Sequence, residues 1–439
     1  MSAEGTLLAG AKAVLAANDR GTFTVPAAGI YPHQWLWDSC FIAIGQAHID
    51  AERAKMEILS LLRAQWKNGM VPHMIFSPGI KQARYHGDWR SWLSPLSPDG
   101  ISTSGITQPP MLAEAVVRIG EHLPSPERHS WYGLVWPNLL AYHAWLYRER
   151  DPHGEGLVLL IHPWETGLDN TPPWMEELKQ HLLPGWIRAI TKLHLDGMLS
   201  IFRTDTRIVD PAERLDNVEA LALYDAKLRL RRKSYDTNKI LDHSLFSIED
   251  LSFNSILIRA NTHLKHIAHT IRETIPDGLQ QHMELSEKAL EQLWDPYKGQ
   301  YFSRDFVTHR LLTEPSIATF MPLYAGCISR ERARQLVQLL ENEHLFGTPY
   351  PVPSTPTNST YFDPVCYWQG PSWVNTNWLV IDGLKRYGFH DHAAALREST
   401  LEMIKRGGWR EYFNPETADG LGAKDFSWTA ALAIDLLKQ

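Results

Sequence analysis

Trp373-Val-Asn-Thr-Asn-Trp-Leu379 leads from an indole and small polar residues straight into an apolar helical run. The pattern recurs. Trp136-Pro-Asn-Leu-Leu140 and Trp428-Thr-Ala-Ala-Leu432 open apolar runs on a tryptophan, Tyr31-Pro-His-Gln-Trp-Leu-Trp-Asp38 is similar in style, and Gln108-Pro-Pro-Met-Leu112 opens another. A unit that starts in a polar, aromatic loop and continues as an apolar helix cannot bury that helix alone. Copies stacked around an axis can, and they close into a toroid of helix pairs whose loops converge at one rim.

The rest of the chain fits this expectation. Helical periodicity predicts helices near 5–17, 38–48, 51–67, 108–121, 135–149, 173–182, 184–196, 250–272, 276–293, 329–341, 371–387, 390–405 and 425–437. Short strand-like pieces lie at 71–76, 199–204 and 300–311. No Ser/Gly/Pro run or charge block divides the 439 residues. The reading is therefore a single all-α domain over 1–439, an α-toroid. Poorly periodic segments at 77–107 and 203–236, rich in Pro, Asp, Arg and Tyr, read as lids over its rim.

Composition narrows the function. A net charge of −7 argues against nucleic acid as a partner. No apolar run reaches membrane-spanning length and no signal pattern opens the chain, so a cytoplasmic protein is expected. Cys40, Cys327 and Cys366 suit a reducing compartment, each as a small buried apolar residue, and His33, His73 and His86 show no metal spacing. A homo-oligomer is compatible with the sequence. Seventeen tryptophans, many in loop-like motifs, suit a cleft whose rings stack on sugars, although Trp145 and Trp294 read as core filler.

Two acidic segments stand out. Trp164-Glu-Thr-Gly-Leu-Asp-Asn-Thr-Pro172 places two carboxylates between an indole and a turn, and Gly167 and Pro172 favour an ordered loop. Low polarity beside a ring raises a carboxyl pKa, as a sugar-cleaving general acid requires. By itself Asp-Asn-x-Pro is also a common helix entry. Near the C-terminus, Glu411 lies among aromatics in Gly408-Trp-Arg-Glu-Tyr-Phe-Asn-Pro415, with Glu416 and Asp425 close by in sequence. Two aromatic-flanked carboxylates far apart in the chain are the raw material of a glycosidase.

Taken together, the motifs resemble glycoside hydrolase family 63, in its branch of mannosylglycerate and glucosylglycerate hydrolases. The resemblance runs over nearly the whole chain. It is carried by Tyr31 to Asp38, Gln65-Trp-Lys-Asn-Gly-Met-Val-Pro-His73, Trp164 to Asn170, Tyr367-Trp-Gln-Gly-Pro-Ser-Trp373, and Glu411-Tyr-Phe-Asn-Pro415 with Phe426-Ser-Trp-Thr429. It implies an (α/α)6 barrel that hydrolyses small α-glycosides with inversion and without a cofactor. Motif match makes Asp169 the general acid and Glu411 the general base.

On that match Tyr31, Gly167, Tyr367 and Gln369 also belong to the substrate site. Trp35, Trp37, Trp164, Trp368 and Trp373 would wall it, with toroid core the competing role for Trp37 and Trp373. Asp38 would hold sugar hydroxyls, or else cap the helix starting near Ser39. Gln108, fixed ahead of two prolines, reads as a hydroxyl ligand. Glu165 would orient the acid loop. A glycerate aglycone needs a cation and hydroxyls; Arg214 is the best candidate and Tyr85 is another. Arg214 equally suits a surface salt bridge with Glu213 or Asp216. It is followed by Leu215 and Asp216 where the resemblance implies Pro-Thr, and the first tyrosine downstream is Tyr224. A neutral α-glucoside therefore stands as the alternative substrate, and an epimerase-like or sugar-binding toroid as the alternative class.

Overall fold

The computed structural model describes residues 3–77, 88–175, 185, 209–242, 244 and 246–439. The helices expected at 173–182 and 184–196, apart from their first residues, and the strand at 199–204 lie outside these, as does Tyr85.

Among the described residues the helices are α1 (Ala3–Asn18), α2 (Leu36–Ala47), α3 (Ala51–Leu62), α4 (Leu112–Glu121), α5 (Ser125–Arg150), α6 (Asn217–Arg232), α7 (Thr237–Leu241), α8 (Leu251–Ile271), α9 (Asp277–Ala289), α10 (Met321–Ala325), α11 (Arg330–Glu341), α12 (Val374–Arg386), α13 (His390–Gly407) and α14 (Ser427–Lys438). The packing order decides the architecture. α2 packs on α4, α4 on α8, α8 on α10, α10 on α12, α12 on α14, and α14 returns to α2. That closed ring of six is the inner wall of an (α/α)6 barrel. Outside it α1 packs on α14, α3 on α2, α5 on α4 and α8, α9 on α8, and α13 on α12.

Burial follows the same division. Every residue of α2 and of α10 is buried. By contrast α3, outside the ring, and α11 bury only one stripe each, Ala54, Glu57, Ile58, Leu61 and Leu62 in α3 and Ala333, Leu336, Val337 and Leu340 in α11.

Two expectations change. Trp136-Pro137 does not open a helix but lies inside α5. Pro137 and Gly133, whose carbonyl would have accepted its missing N–H, both sit on the exposed face, where water can satisfy that carbonyl. The segment 203–236 holds the sixteen-residue helix α6, started by a capping box between Asp216 and Glu219. α10 also escapes sequence reading, because five wholly buried residues show no periodicity.

Strands are short and come in antiparallel pairs. Gln34–Trp35 pairs with Met74–Ile75, Ile248–Glu249 with Arg304–Asp305, and Trp294–Asp295 with Gln300–Tyr301. The longest pair, Arg410–Phe413 with Gly420–Lys424, forms a hairpin just ahead of α14. No described helix is long and apolar enough to cross a membrane. All three cysteines are free; Cys40 is buried as expected, whereas Cys327 and Cys366 are only partly so.

Candidate active site

The loops that lead into α2, α4, α12 and α14 meet at one rim, where their tryptophans form a cluster. Trp37 lies 5.5 Å from Trp428 and 6.4 Å from Trp368, and Trp373 stacks on Trp368 at 3.7 Å. The repeated tryptophan at a helix start thus marks the rim of the barrel at three of its inner helices.

Against this cluster lies a cavity of about 310 Å³, the size range of small-molecule sites. It is lined by Tyr31, Trp35, Trp37, Asp38, Gln108, Trp164, Gly167, Asp169, Arg214, Tyr367, Trp368 and Glu411, all expected from the sequence. Two expected residues stand behind the wall instead. Trp373 is core, its indole N–H donating to the Tyr367 carbonyl at 3.2 Å. Gln369 donates through Nε2 to the Asn170 carbonyl and to Glu219 Oε1, both at 3.1 Å. It therefore ties two rim loops to α6.

The acid loop is built for rigidity. Glu165, fully buried, accepts from Arg150 at 2.9 and 2.8 Å and from the backbone N–H groups of Ile161 at 2.8 Å and Thr107 at 3.2 Å. These bonds hold it away from chemistry and fix the loop, as expected of an orienting residue. Gly167 then turns the chain at φ 74°; a Cβ there would meet the Trp37 ring at 2.6 Å. Breaking the buried pair should loosen this support. Arg150→Met is expected to cost about 3–5 kcal/mol of unfolding free energy, because it leaves the Glu165 charge uncompensated. Urea denaturation of the variant would measure it, and a cost below about 1 kcal/mol would deny the anchor.

Asp169 emerges from this loop into the cavity. Burial pushes its carboxyl up to about 7; the hydroxyl of Tyr367, donating to Oδ2 at 3.2 Å, and the Arg214 charge oppose the shift, while Glu411 adds to it. Tyr367 itself holds an unusual φ of 36°. Asp38 sits in the first turn of α2, whose N-cap is Trp35, so capping is not its role. Burial first, then the Glu411 charge, raises its carboxyl well above the usual range.

Glu411 has a different setting. It occupies a bulge of the C-terminal hairpin, where Arg410 pairs with Lys424 and Tyr412 with Leu421. Gly422 opposite has φ 67°, and a Cβ on it would lie 2.7 Å from Glu411 Oε2. Its hydrogen-bond partners among the described residues are donors: Tyr31 Oη at 2.8 Å, Arg214 Nη1 at 3.2 and 3.4 Å, and the Ala423 N–H at 2.9 Å. Arg410, its chain neighbour, turns away to the Gly422 carbonyl at 3.1 Å. Glu416 and Asp425 are exposed and stand outside the cavity. Arg214 is buried and bonded to Glu411 and the Tyr31 hydroxyl, so the surface salt bridge is excluded.

Sequence reading misses several lining residues. Trp428 and Phe426 enter it only as part of a motif. Lys227, Leu223 and Ala220 escape it because α6 does. The spacing 220, 223, 224, 227 is a helical stripe and could have revealed it.

Comparison with known proteins bears on family and fold. Residues 31–429 match the family model described as "Mannosylglycerate hydrolase MGH1-like glycoside hydrolase domain". A mannosylglycerate hydrolase of Thermus thermophilus is 39% identical, over 96% of this chain and 98% of that one. The glucosylglycerate hydrolase of Mycolicibacterium hassiacum is 33% identical, over 98% and 97%. The crystal structure of a GH63 mannosylglycerate hydrolase from a second Thermus thermophilus strain, in complex with Tris and D-glycerate, superposes with a TM-score of 0.87. Its sequence is 38% identical, over 99% of this chain and all of that one.

The (α/α)6 barrel and these relatives define a glycoside hydrolase, and its rim cavity holds Asp169, raised by burial, and Glu411, clamped by donors. The chain belongs to glycoside hydrolase family 63, in its mannosylglycerate hydrolase MGH1-like branch.

Proposed function

We propose that the protein hydrolyses a small α-glycoside of glycerate, mannosylglycerate or glucosylglycerate, with inversion and without a cofactor. The observation that carries this reading is the pair of buried carboxyls in one cavity with opposite surroundings. Asp169, its carboxyl raised by burial to about 7, donates its proton to the glycosidic oxygen as the bond breaks. Glu411, clamped by Arg214, Tyr31 and Ala423, takes a proton from the water that attacks the anomeric carbon from the opposite face. The bond to the leaving oxygen breaks as the water oxygen bonds to the same anomeric carbon, so no covalent intermediate with the enzyme forms. Asp38 and Gln108 hold sugar hydroxyls between the walls of Trp35, Trp37, Trp164 and Trp368. Gln108 Oε1 already accepts from the Trp37 N–H at 3.3 Å, which leaves its amide hydrogens for substrate.

The names of the relatives support a glycerate aglycone. One observation favours a neutral one: Arg214, the cation expected to meet the carboxylate, is engaged with the base. In this reading residues 1–439 work as one catalytic domain, with the stretch from Arg214 through α6 covering the cavity. The enzyme acts in the cytoplasm, where its three cysteines stay reduced, and its partner is a small molecule rather than nucleic acid.

The test is a proton NMR time course with mannosylglycerate, glucosylglycerate, maltose and trehalose. Release of the β-anomer ahead of mutarotation from a glycerate glycoside is the expected result. Early release of the α-anomer would overturn inversion. Cleavage of maltose or trehalose alone would overturn the glycerate aglycone.

A further inference from the structure

We propose that Glu213, a residue outside the cavity, positions the base: its carboxylate pins the hairpin that carries Glu411, and the activation of water depends on that hold. This inference rests on the reading of Glu411 as the base and names a residue that acts through it.

Opposite Glu411 in its hairpin stands Gly422, at φ 67°. A glycine has no side chain to anchor it, so its place must be fixed through its backbone groups. Both are fixed. The Gly422 N–H donates to Glu213 Oε2 at 2.6 Å, and the Gly422 carbonyl accepts from Arg410 Nη1 at 3.1 Å. The next N–H along, that of Ala423, donates to Glu411 Oε2 at 2.9 Å. Two successive backbone donors thus serve two carboxylates, one outside the cavity and one lining it. Gly422 is buried, and a buried N–H needs a partner. A charged acceptor makes that bond a strong one.

Glu213 also joins the hairpin to the segment that supplies the counter-charge. It ends the short turn Pro211–Glu213, and Arg214 follows directly. The Glu213 carbonyl accepts from the Tyr412 hydroxyl at 2.5 Å, while Arg214 Nη1 reaches Glu411 Oε2 at 3.2 Å. Neighbours in one segment therefore grip neighbours in the other: Glu213 holds Gly422 and Tyr412, and Arg214 holds Glu411. Glu213 does not line the cavity, so its part is placement and not contact with substrate. If its side chain lets go, the Ala423 N–H and the Arg214 guanidinium no longer meet Glu411 from fixed positions.

Three substitutions separate reach from charge. Glu213→Gln keeps the acceptor in place without the charge. Glu213→Asp keeps the charge but draws the acceptor back by one methylene, and Glu213→Ala removes it. Wild type, these three and Glu411→Gln are assayed on mannosylglycerate, glucosylglycerate and the α-fluorides of both sugars, with thermal melts to confirm folding. Glu213→Ala is expected to lower kcat about 100-fold, the cost of misplacing a reacting group by ~1 Å. The loss should be equal on glycoside and fluoride, because both need the activated water, and KM should change little. General loosening of the site would raise KM as well. Glu213→Asp should be slow too, and Glu213→Gln close to wild type. A folded Glu213→Ala with the wild-type kcat overturns the proposal. So does a loss confined to the glycosides, or a Glu213→Gln as slow as Glu213→Asp; that last comparison decides alone if Glu213→Ala does not fold. The fluorides carry the test whichever aglycone is correct. If Glu411→Gln keeps its activity, the base reading fails and the role of Glu213 falls with it. If Glu411→Gln is inactive and Glu213→Ala is not, only the role of Glu213 fails.

Discussion

Asp169→Asn is expected to lower kcat on a natural glycoside by about 100- to 10,000-fold, the usual worth of a general acid. Asparagine keeps the shape and the contact with Tyr367 but has no proton to give. The loss should shrink on a glycosyl fluoride, whose leaving group needs no protonation. That selectivity separates an acid from a residue that merely holds the loop. The pH profile gives a second readout. The Asp169 carboxyl is lifted from 3.8 to about 7 by burial, so activity should fall as pH rises through about 7. Stability carries the same signature with a definite sign. The folded state holds this proton more tightly than the unfolded chain, so stability is full below pH 3.8 and is lost as pH rises toward about 7. Asp169→Asn should therefore raise Tm at pH 8 and leave it near wild type at pH 4. Equal losses on fluoride and natural glycoside, with an unchanged Tm at pH 8, would remove Asp169 from the acid role.

Removal of the base should look different. Glu411→Gln is expected to reduce turnover by a similar factor, about 100- to 10,000-fold, but on the fluoride as well, because water must still be activated. A strong anionic nucleophile such as azide should rescue part of the rate and yield the β-glycosyl azide. The same variant leaves Arg214 without its carboxylate, so some destabilisation is expected in addition. The leaving-group pattern, not stability, carries the argument. Hydrolysis by Glu411→Gln within a few-fold of wild type would transfer the base role to another carboxyl. Asp38, which lines the same cavity and already feels the Glu411 charge, would be the first to test.

Much of this is legible in the chain itself. The inner helices α2, α12 and α14 begin close to where their tryptophans and polar residues predict, and Trp37, Trp368, Trp373 and Trp428 do meet. Local signals suffice there, because a rim loop must place an aromatic beside the entry of a buried helix. Other features are illegible for equally local reasons. The helix α6 scatters apolar residues such as Val218, Leu221 and Leu228 off the stripe that faces the cavity and intersperses them with charges, so its periodicity is weak and it reads like a lid loop. The bulge that aims Glu411 depends on Gly422, which resembles any turn glycine in a Gly-rich stretch.

Function divides along the same line. The order of motifs and the aromatic-flanked carboxyls were enough for an α-toroid glycosidase and to single out Asp169 and Glu411 as candidates for its pair, because those residues report on themselves and their immediate neighbours. Partners distant in sequence were decided only by the closed barrel. The ring brings Arg214 to Glu411 across 197 positions and Tyr31 to Glu411 across 380. It sends Gln369 to Asn170 and Glu219 instead of to the cavity, and it leaves Lys227 facing the cavity. A side chain's charge is written in the sequence, but what that charge faces depends on which helices close the ring.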